Sequence, residues 1–152
     1  MILLSRKVEY GLMALLHLAG AATIGQPVSA MSIARHHRIP RALLGKVLQA
    51  LARAGLIESV PGAHGGYQLR RKPAQVALGQ IVAAVDGPIN LAGCQATPAA
   101  CSRQGDCCVR EPLNRVRGAM IAPFSKITLA DLRDDSHGKS SASRRQHTGR
   151  RV

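Results

Sequence analysis

Arg38-Ile39-Pro40-Arg41-Ala42-Leu43-Leu44-Gly45-Lys46-Val47-Leu48-Gln49-Ala50-Leu51-Ala52-Arg53-Ala54-Gly55 is the stretch that decides the fold. Leu44, Val47, Leu48 and Leu51 recur at helical spacing and share one face, while Arg41, Gly45, Lys46, Gln49 and Arg53 fall elsewhere. Pro40 suits the first turn of such a helix, where a missing N–H loses nothing, and Gly55 suits the residue just past its end. The spacing predicts a helix over roughly 41–54. Upstream, Ser29 can cap a helix running through His36. Two short helices joined by a tight turn at Arg38-Ile39-Pro40 form the helix-turn-helix plan. Basic and amide side chains on the free face of the second helix can reach phosphates and base edges in a major groove; a plain solvated face is the competing reading. Gly45 would let a backbone approach closely, at a cost in helix stability.

The residues after this unit favour the DNA reading. Leu56 to Val60 is strand-like, Pro61-Gly62-Ala63-His64-Gly65-Gly66 is a turn, and Tyr67 to Leu69 is strand-like again. A β-hairpin directly after a helix-turn-helix is a wing. Its glycine-rich tip can approach a DNA backbone, and Arg70, Arg71 and Lys72 stand at its base.

Charge points the same way. The 152 residues carry 21 Lys and Arg against 8 Asp and Glu, a net +13. Such an excess favours a polyanionic partner, and nucleic acid is the usual one. Residues 1–75 hold ten basic residues against Glu9 and Glu58. From Ser136 to Val152 there are five more basic residues and no acid, with no apolar periodicity; that tail reads as disordered. Aromatics make up only 2% of the chain, so its core must be built from Leu, Val, Ile and Ala, which favours packed helices.

Ahead of the helix-turn-helix, Ser5 can cap a first helix over roughly Arg6 to Ala22. Arg6 and Lys7 before an apolar run resemble a secretory signal. Glu9, Tyr10 and His17 break that pattern, and Val8, Leu12, Leu15, Leu16 and Ala19 follow helical spacing. A cytoplasmic helix is the preferred reading, and no stretch has the length and purity of a membrane span. His17 reads as a packed helix residue. His36 and His37 read as exposed or phosphate-contacting.

All four cysteines lie between Cys94 and Cys108. Six residues separate Cys94 from Cys101, five separate Cys101 from Cys107, and Cys108 follows at once. The intervening Gln95 to Asp106 offers little apolar material for a core, so the loop is expected to be held by something it binds. Thiolates select zinc, copper(I) or iron–sulfur clusters. Before the loop, Val76 to Val85 can form a helix ending near Asp86-Gly87-Pro88. After it, Glu111-Pro112 can open another, with Leu113, Val116, Met120 and Phe124 in a stripe. That stripe is a candidate dimer seam, with packing onto its own chain as the alternative. Pro123 should kink or end the helix. Thr128 can cap a last short turn over Leu129 to Leu132.

Taken together these pieces resemble the IscR/NsrR/CymR ("Rrf-two") family of bacterial winged helix-turn-helix regulators. The resemblance rests on Leu4 to Gly11, Ile39 to Leu48, Ala54-Gly55-Leu56-Ile57, the wing Gly62 to Leu69, and Ala84-Val85-Asp86-Gly87-Pro88. It covers roughly residues 1–133. It implies a mainly α fold with a small β-wing and a C-terminal dimerisation helix. The implied organisation is a winged helix-turn-helix domain at 1–88, a cysteine-rich cluster-binding loop at 89–110, a dimerisation helix region at 111–133 and a disordered basic tail at 134–152. The implied activity is that of a homodimeric, mainly repressing regulator that binds a double-stranded DNA operator. The helix matching Pro40 to Ala54 would enter the major groove and the wing the minor groove, with Arg38, Arg41, Lys46, Gln49, His64 and Arg70 as candidate contacts.

The resemblance also implies an iron–sulfur cluster, 2Fe–2S in preference to 4Fe–4S, sensing cluster status, redox state or nitric oxide. Its ligands would be Cys94, Cys101 and Cys107, with Cys108 as an alternative to Cys107. The family spacing is usually five residues in each gap, and here the first is six. A histidine that ligates in some members is matched by Arg110, which cannot serve. The acidic ligand of others is matched by Glu9, which would reach the cluster from the partner subunit; a surface pair with Arg6 or Lys7 is the alternative. The family's wing arginine is matched by Pro61. Two further readings stay open: a zinc-stabilised nucleic-acid-binding protein and a thiol-redox switch. No catalytic triad, phosphate loop or zinc-protease motif marks an enzyme.

Overall fold

The computed structural model describes residues 4–22, 26–98, 101–103 and 105–134. The basic tail from 135 onward and part of the cysteine loop therefore lie outside the described residues. The order is α1 (Arg6–Ala22), α2 (Ala30–His37), α3 (Arg41–Arg53), β1 (Ile57–Val60), β2 (Gly66–Leu69), α4 (Leu78–Asp86), α5 (Gly93–Ala96) and α6 (Arg110–Lys126). Residues 129–134 form a final helical turn.

Local chemistry sets the helix ends. The Val8 N–H donates to Ser5 Oγ at 3.3 Å, and the Ser32 N–H donates to Ser29 Oγ at 3.1 Å. Both serines accept from a donor that has no partner within its own helix. Gly55 has φ +70° and closes α3 as expected of a glycine there. The Thr128 and Asp131 side chains cap each other's backbone: the Thr128 N–H donates to Asp131 Oδ2 at 2.8 Å, and the Asp131 N–H donates to Thr128 Oγ1 at 3.3 Å.

The core sits among α1, α2, α3, α4 and the wing. Leu15, Ile33, Leu44, Leu48, Leu51, Leu56, Ile57 and Ile81 are fully buried in it. Gly11 lies where a methyl group would meet Val47 and Val85 at 3.5 Å, which is ordinary contact, so α1 passes close to both α3 and α4. Val8, Leu78 and Val82 form a smaller cluster, against which Phe124 and Leu132 pack.

The wing is an antiparallel pair in which Ile57 faces Leu69 and Val60 faces Gly66. It is pinned a second time. Val28, just before α2, bridges Tyr67 through N–H donors in both directions, at 2.9 and 2.8 Å. Gly66 is required there: a Cβ would lie 2.4 Å from the Val28 carbonyl. The wing is therefore fixed to the entrance of the helix-turn-helix, a contact the sequence did not announce.

One expectation needs correction. Pro123 does not end the last long helix, which runs on to Lys126. The proline removes its own N–H donor, yet its carbonyl still accepts from the Ile127 N–H at 3.1 Å. The turn beyond it is held from outside. Phe124 packs on the smaller cluster, and the Ala77–Thr128 bridge ties the chain back to α4. Tertiary contact outweighs the local penalty.

Candidate nucleic-acid interface and metal centre

At 3.6 residues per turn the buried Leu44, Val47, Leu48 and Leu51 cover one side of α3, and Arg41, Gly45, Lys46, Gln49 and Arg53 fan over an arc of about 140° opposite. Arg41, Lys46, Gln49 and Arg53 are exposed. Arg38 is also exposed and occupies a left-handed backbone position, φ 54°, at the end of α2. It is the turn residue of the helix-turn-helix, held by its own N–H donating to the Ala34 and Arg35 carbonyls. His64 is exposed at the wing tip and shares a surface groove with Ser29 and Ser32 of the α2 entrance. Arg70 is exposed at the wing base, its guanidinium near Gly55. The six candidate DNA contacts thus lie on the second helix, the turn before it and the wing.

The cysteines come from separate stretches. Cys94 sits on α5, a four-residue turn that the sequence did not suggest. The Cys101 N–H donates to the Pro98 carbonyl at 3.1 Å. Cys107 lies three residues before the start of α6, and its carbonyl accepts from the Arg110 N–H. Cys94, Cys101 and Cys107 line one small pocket together with Pro98 and Arg110. Its free space is about 10 Å³, roughly one water, so a cluster would enter only as the cysteine segment opens around it. Cys108 is exposed and does not line it, and all four thiols are free of disulfides. Three thiol donors lining one pocket near the start of a 17-residue helix suit a soft cation or a cluster, for which thiolate sulfur is the preferred ligand.

Polar ties hold this segment to α6. Gln95 accepts through Oε1 from the Leu91 N–H at 2.7 Å and donates through Nε2 to Asn114 Oδ1 at 3.1 Å. Arg117 donates to the Ile89 carbonyl at 2.7 Å. Sequence reasoning missed both, since neither Gln95 nor Arg117 belongs to a motif.

Glu9 lies in the first turn of α1, where its carboxylate meets Arg6 at 3.0 Å. Within one chain it is therefore the surface partner of Arg6. The stripe on α6 divides. Phe124 packs on its own chain, whereas Val116 is 50% exposed and no residue of α6 is buried.

His17 lies in α1 and His36 is exposed, as expected, but the histidines also meet one another. His17 of α1 meets His36 and His37 of α2: His17 Nδ1 and His37 Nε2 are 3.2 Å apart, and the three rings contact one another edge to face. Burial first, then the neighbouring histidines, pushes His17 and His37 below the ordinary imidazole value.

Three comparisons place this geometry among known proteins. Residues 4–135 match the family model described as "Rrf2: Iron-dependent Transcriptional regulator". The chain is 34% identical over 133 residues to protein rrf2 of Nitratidesulfovibrio vulgaris, covering 88% of each chain. Among solved structures it is similar to CymR (YrzC), the global cysteine regulator of B. subtilis, with a TM-score of 0.70 and 30% identity, over 88% of this chain and 98% of that one. It is also similar to T. potens IscR, with a TM-score of 0.66 and 26% identity, over 97% and 94%.

Proposed function

The chain belongs to the Rrf2 family of transcriptional regulators, and we propose that it is a dimeric, mainly repressing DNA-binding protein whose operator affinity is set by an iron–sulfur cluster held by Cys94, Cys101 and Cys107. The observation that carries this reading is the meeting of three cysteines from three separate stretches in one pocket beside the α6 N-terminus. The family description as iron-dependent supports it.

Arg41, Lys46 and Gln49 would read the major groove from α3, Arg38 and Arg70 would hold phosphates, and His64 would enter at the wing tip. Pinning of the wing at Val28 keeps these two reading elements in fixed relation. The exposed stretch of α6 around Val116 would form the seam with a second copy. Glu9 of the partner subunit would be the fourth ligand, giving up its Arg6 pair. A bound 2Fe–2S cluster would supply a redox- and nitric-oxide-sensitive centre. The protein's part is to couple it to α6 through Gln95 and Arg117. Only a difference in DNA affinity between loaded and empty forms can make a switch.

The test is anaerobic purification with iron, sulfide and zinc assays, an absorption spectrum, and binding to an operator selected from random-sequence DNA. Matching iron and sulfide, a broad visible band and operator affinity that changes on cluster removal are expected. Zinc without sulfide would exclude the cluster.

A thiol switch is the second reading. It is favoured by Cys108, exposed beside Cys107 and outside the pocket, and by the likeness to a protein named for cysteine regulation. Cys108→Ser should leave iron content intact; loss of peroxide-dependent operator release in that variant would favour the switch.

A further inference from the structure

His17, His36 and His37 come together from α1 and α2, and one ligand nitrogen from each lies within 4.8 Å of the other two. Among the described residues this is the group whose three donor atoms lie close enough together to converge on one metal ion. We propose that the three imidazoles form a binding site for a borderline divalent cation, with zinc as its best-suited occupant, at the junction of α1 with the helix-turn-helix.

The chemistry of the donor set carries the choice of ion. Imidazole suits zinc, copper, nickel and iron, whereas calcium and magnesium require oxygen. Tetrahedral zinc with bonds of 2.0–2.1 Å sets ligand nitrogens about 3.3 Å apart. His17 Nδ1 and His37 Nε2 already stand 3.2 Å apart. The third ring, His36, is exposed and can swing the remaining distance without disturbing the core. Three histidines leave a fourth position for water.

Protonation helps. A metal competes with protons for imidazole nitrogens, and burial already disfavours the charged form of His17 and His37. Arg35 and Arg38, adjacent in sequence, oppose a cation and set the affinity below that of a site with a carboxylate.

The position gives the site a consequence. His37 directly precedes Arg38, the left-handed turn residue that aims α3. His17 lies in the second half of α1. An ion bound by all three would clamp the end of α2 to α1 one residue before that turn. Cysteine ligands play no part, so the site stands whether or not the cysteine pocket holds a cluster.

Zinc titrated calorimetrically into the full-length chain tests this, together with His36→Gln and a Cys94→Ser/Cys101→Ser variant. One zinc per chain should survive the cysteine changes. His36→Gln should weaken it at least about a hundredfold, since even indirect partners of metal ligands are worth 10–100-fold. Because the His36 ring is exposed, its loss leaves the fold intact, which circular dichroism checks. Zinc should also raise the unfolding temperature of the unaltered chain and not that of His36→Gln. Zinc binding that disappears with the cysteines and ignores His36→Gln would overturn the site, as would no binding to the cysteine variant.

Discussion

The two halves of this molecule are built on different principles. In residues 4–82 the helices and the wing close over a continuous apolar core. From 83 to 128 no described residue is buried, although that stretch holds the cysteines and a 17-residue helix. Each buried leucine of the first half contributes about 1.5–3 kcal/mol by leaving water. The second half has less of this: Val85, Ile89 and Phe124 pack against the smaller cluster but stay only partly buried. It is positioned by a few polar ties, Gln95 to Asn114 and Arg117 to Ile89, and by the return of the chain at Leu129, which is fully buried. A reading head that must present the same surface every time is rigid by packing. On the proposed reading the cysteine segment responds to an occupant, and its sparse burial gives it little stability of its own, as regions that move generally have.

Leu48→Ala should separate the halves most sharply. Leu48 is fully buried in α3, so its truncation is expected to cost about 2–5 kcal/mol by chemical denaturation. Val116→Ala, at a half-exposed position, should change monomer stability by less than about 0.5 kcal/mol and show its effect in the dimer equilibrium by sedimentation. Equal losses of stability would erase the distinction.

Next comes Cys94→Ser. Iron should fall to background while the denaturation midpoint of the apoprotein stays unchanged, because Cys94 contributes nothing to the core. A large drop in apoprotein stability would show that the thiols themselves hold the fold.

Lys46→Ala tests the reading surface. It should weaken operator binding and reduce the salt slope by about 1 if Lys46 meets a phosphate. Unchanged affinity at matched salt would remove it from the interface.

Gln95→Ala should be milder. Losing a bond of this kind costs about 0.5–1.5 kcal/mol in general, and at this half-buried site the effect should appear as faster iron loss on chelation, with operator affinity of the loaded protein retained. An unaltered rate would mean that Gln95 does not steady the cysteine segment.

The smallest effect expected is that of pH on the metal-free protein. His17 and His37 titrate below their ordinary value in the folded chain. The unfolded chain therefore takes up protons first as pH falls. Stability from this source is complete above about 6.5 and declines as pH drops through that value, levelling off below the folded pKa. Urea midpoints between neutral and mildly acidic pH should show the decline, and His17→Gln should flatten it. An identical slope in that variant would assign the pH dependence to other groups.

Much of the first half was legible in the sequence. Apolar spacing located α1 and α3 to within a residue, and Ser5, Ser29 and Gly55 marked ends that the hydrogen bonds and backbone angles bear out. Those signals are local: a helix face repeats every three to four residues, and a cap acts across three. The expectation that Pro123 could end its helix on the spot failed for the complementary reason. The proline's local cost was read correctly, but Phe124 and the Ala77–Thr128 bridge hold the turn from a distance.

The sequence by itself determined the helix-turn-helix, the wing and the candidate contacts on α3, because periodicity, caps and turn residues are written within a few positions of one another. Tertiary structure alone decided three things. Cys94, Cys101 and Cys107 share a pocket while Cys108 stays outside. Val28 pins the wing through Tyr67. His17 meets His36 and His37 across two helices. The wing and histidine contacts join residues many positions apart, which only the packing of helices around a common core brings together, whereas the cysteines meet through the folding of one loop held to α6 by Gln95 and Arg117.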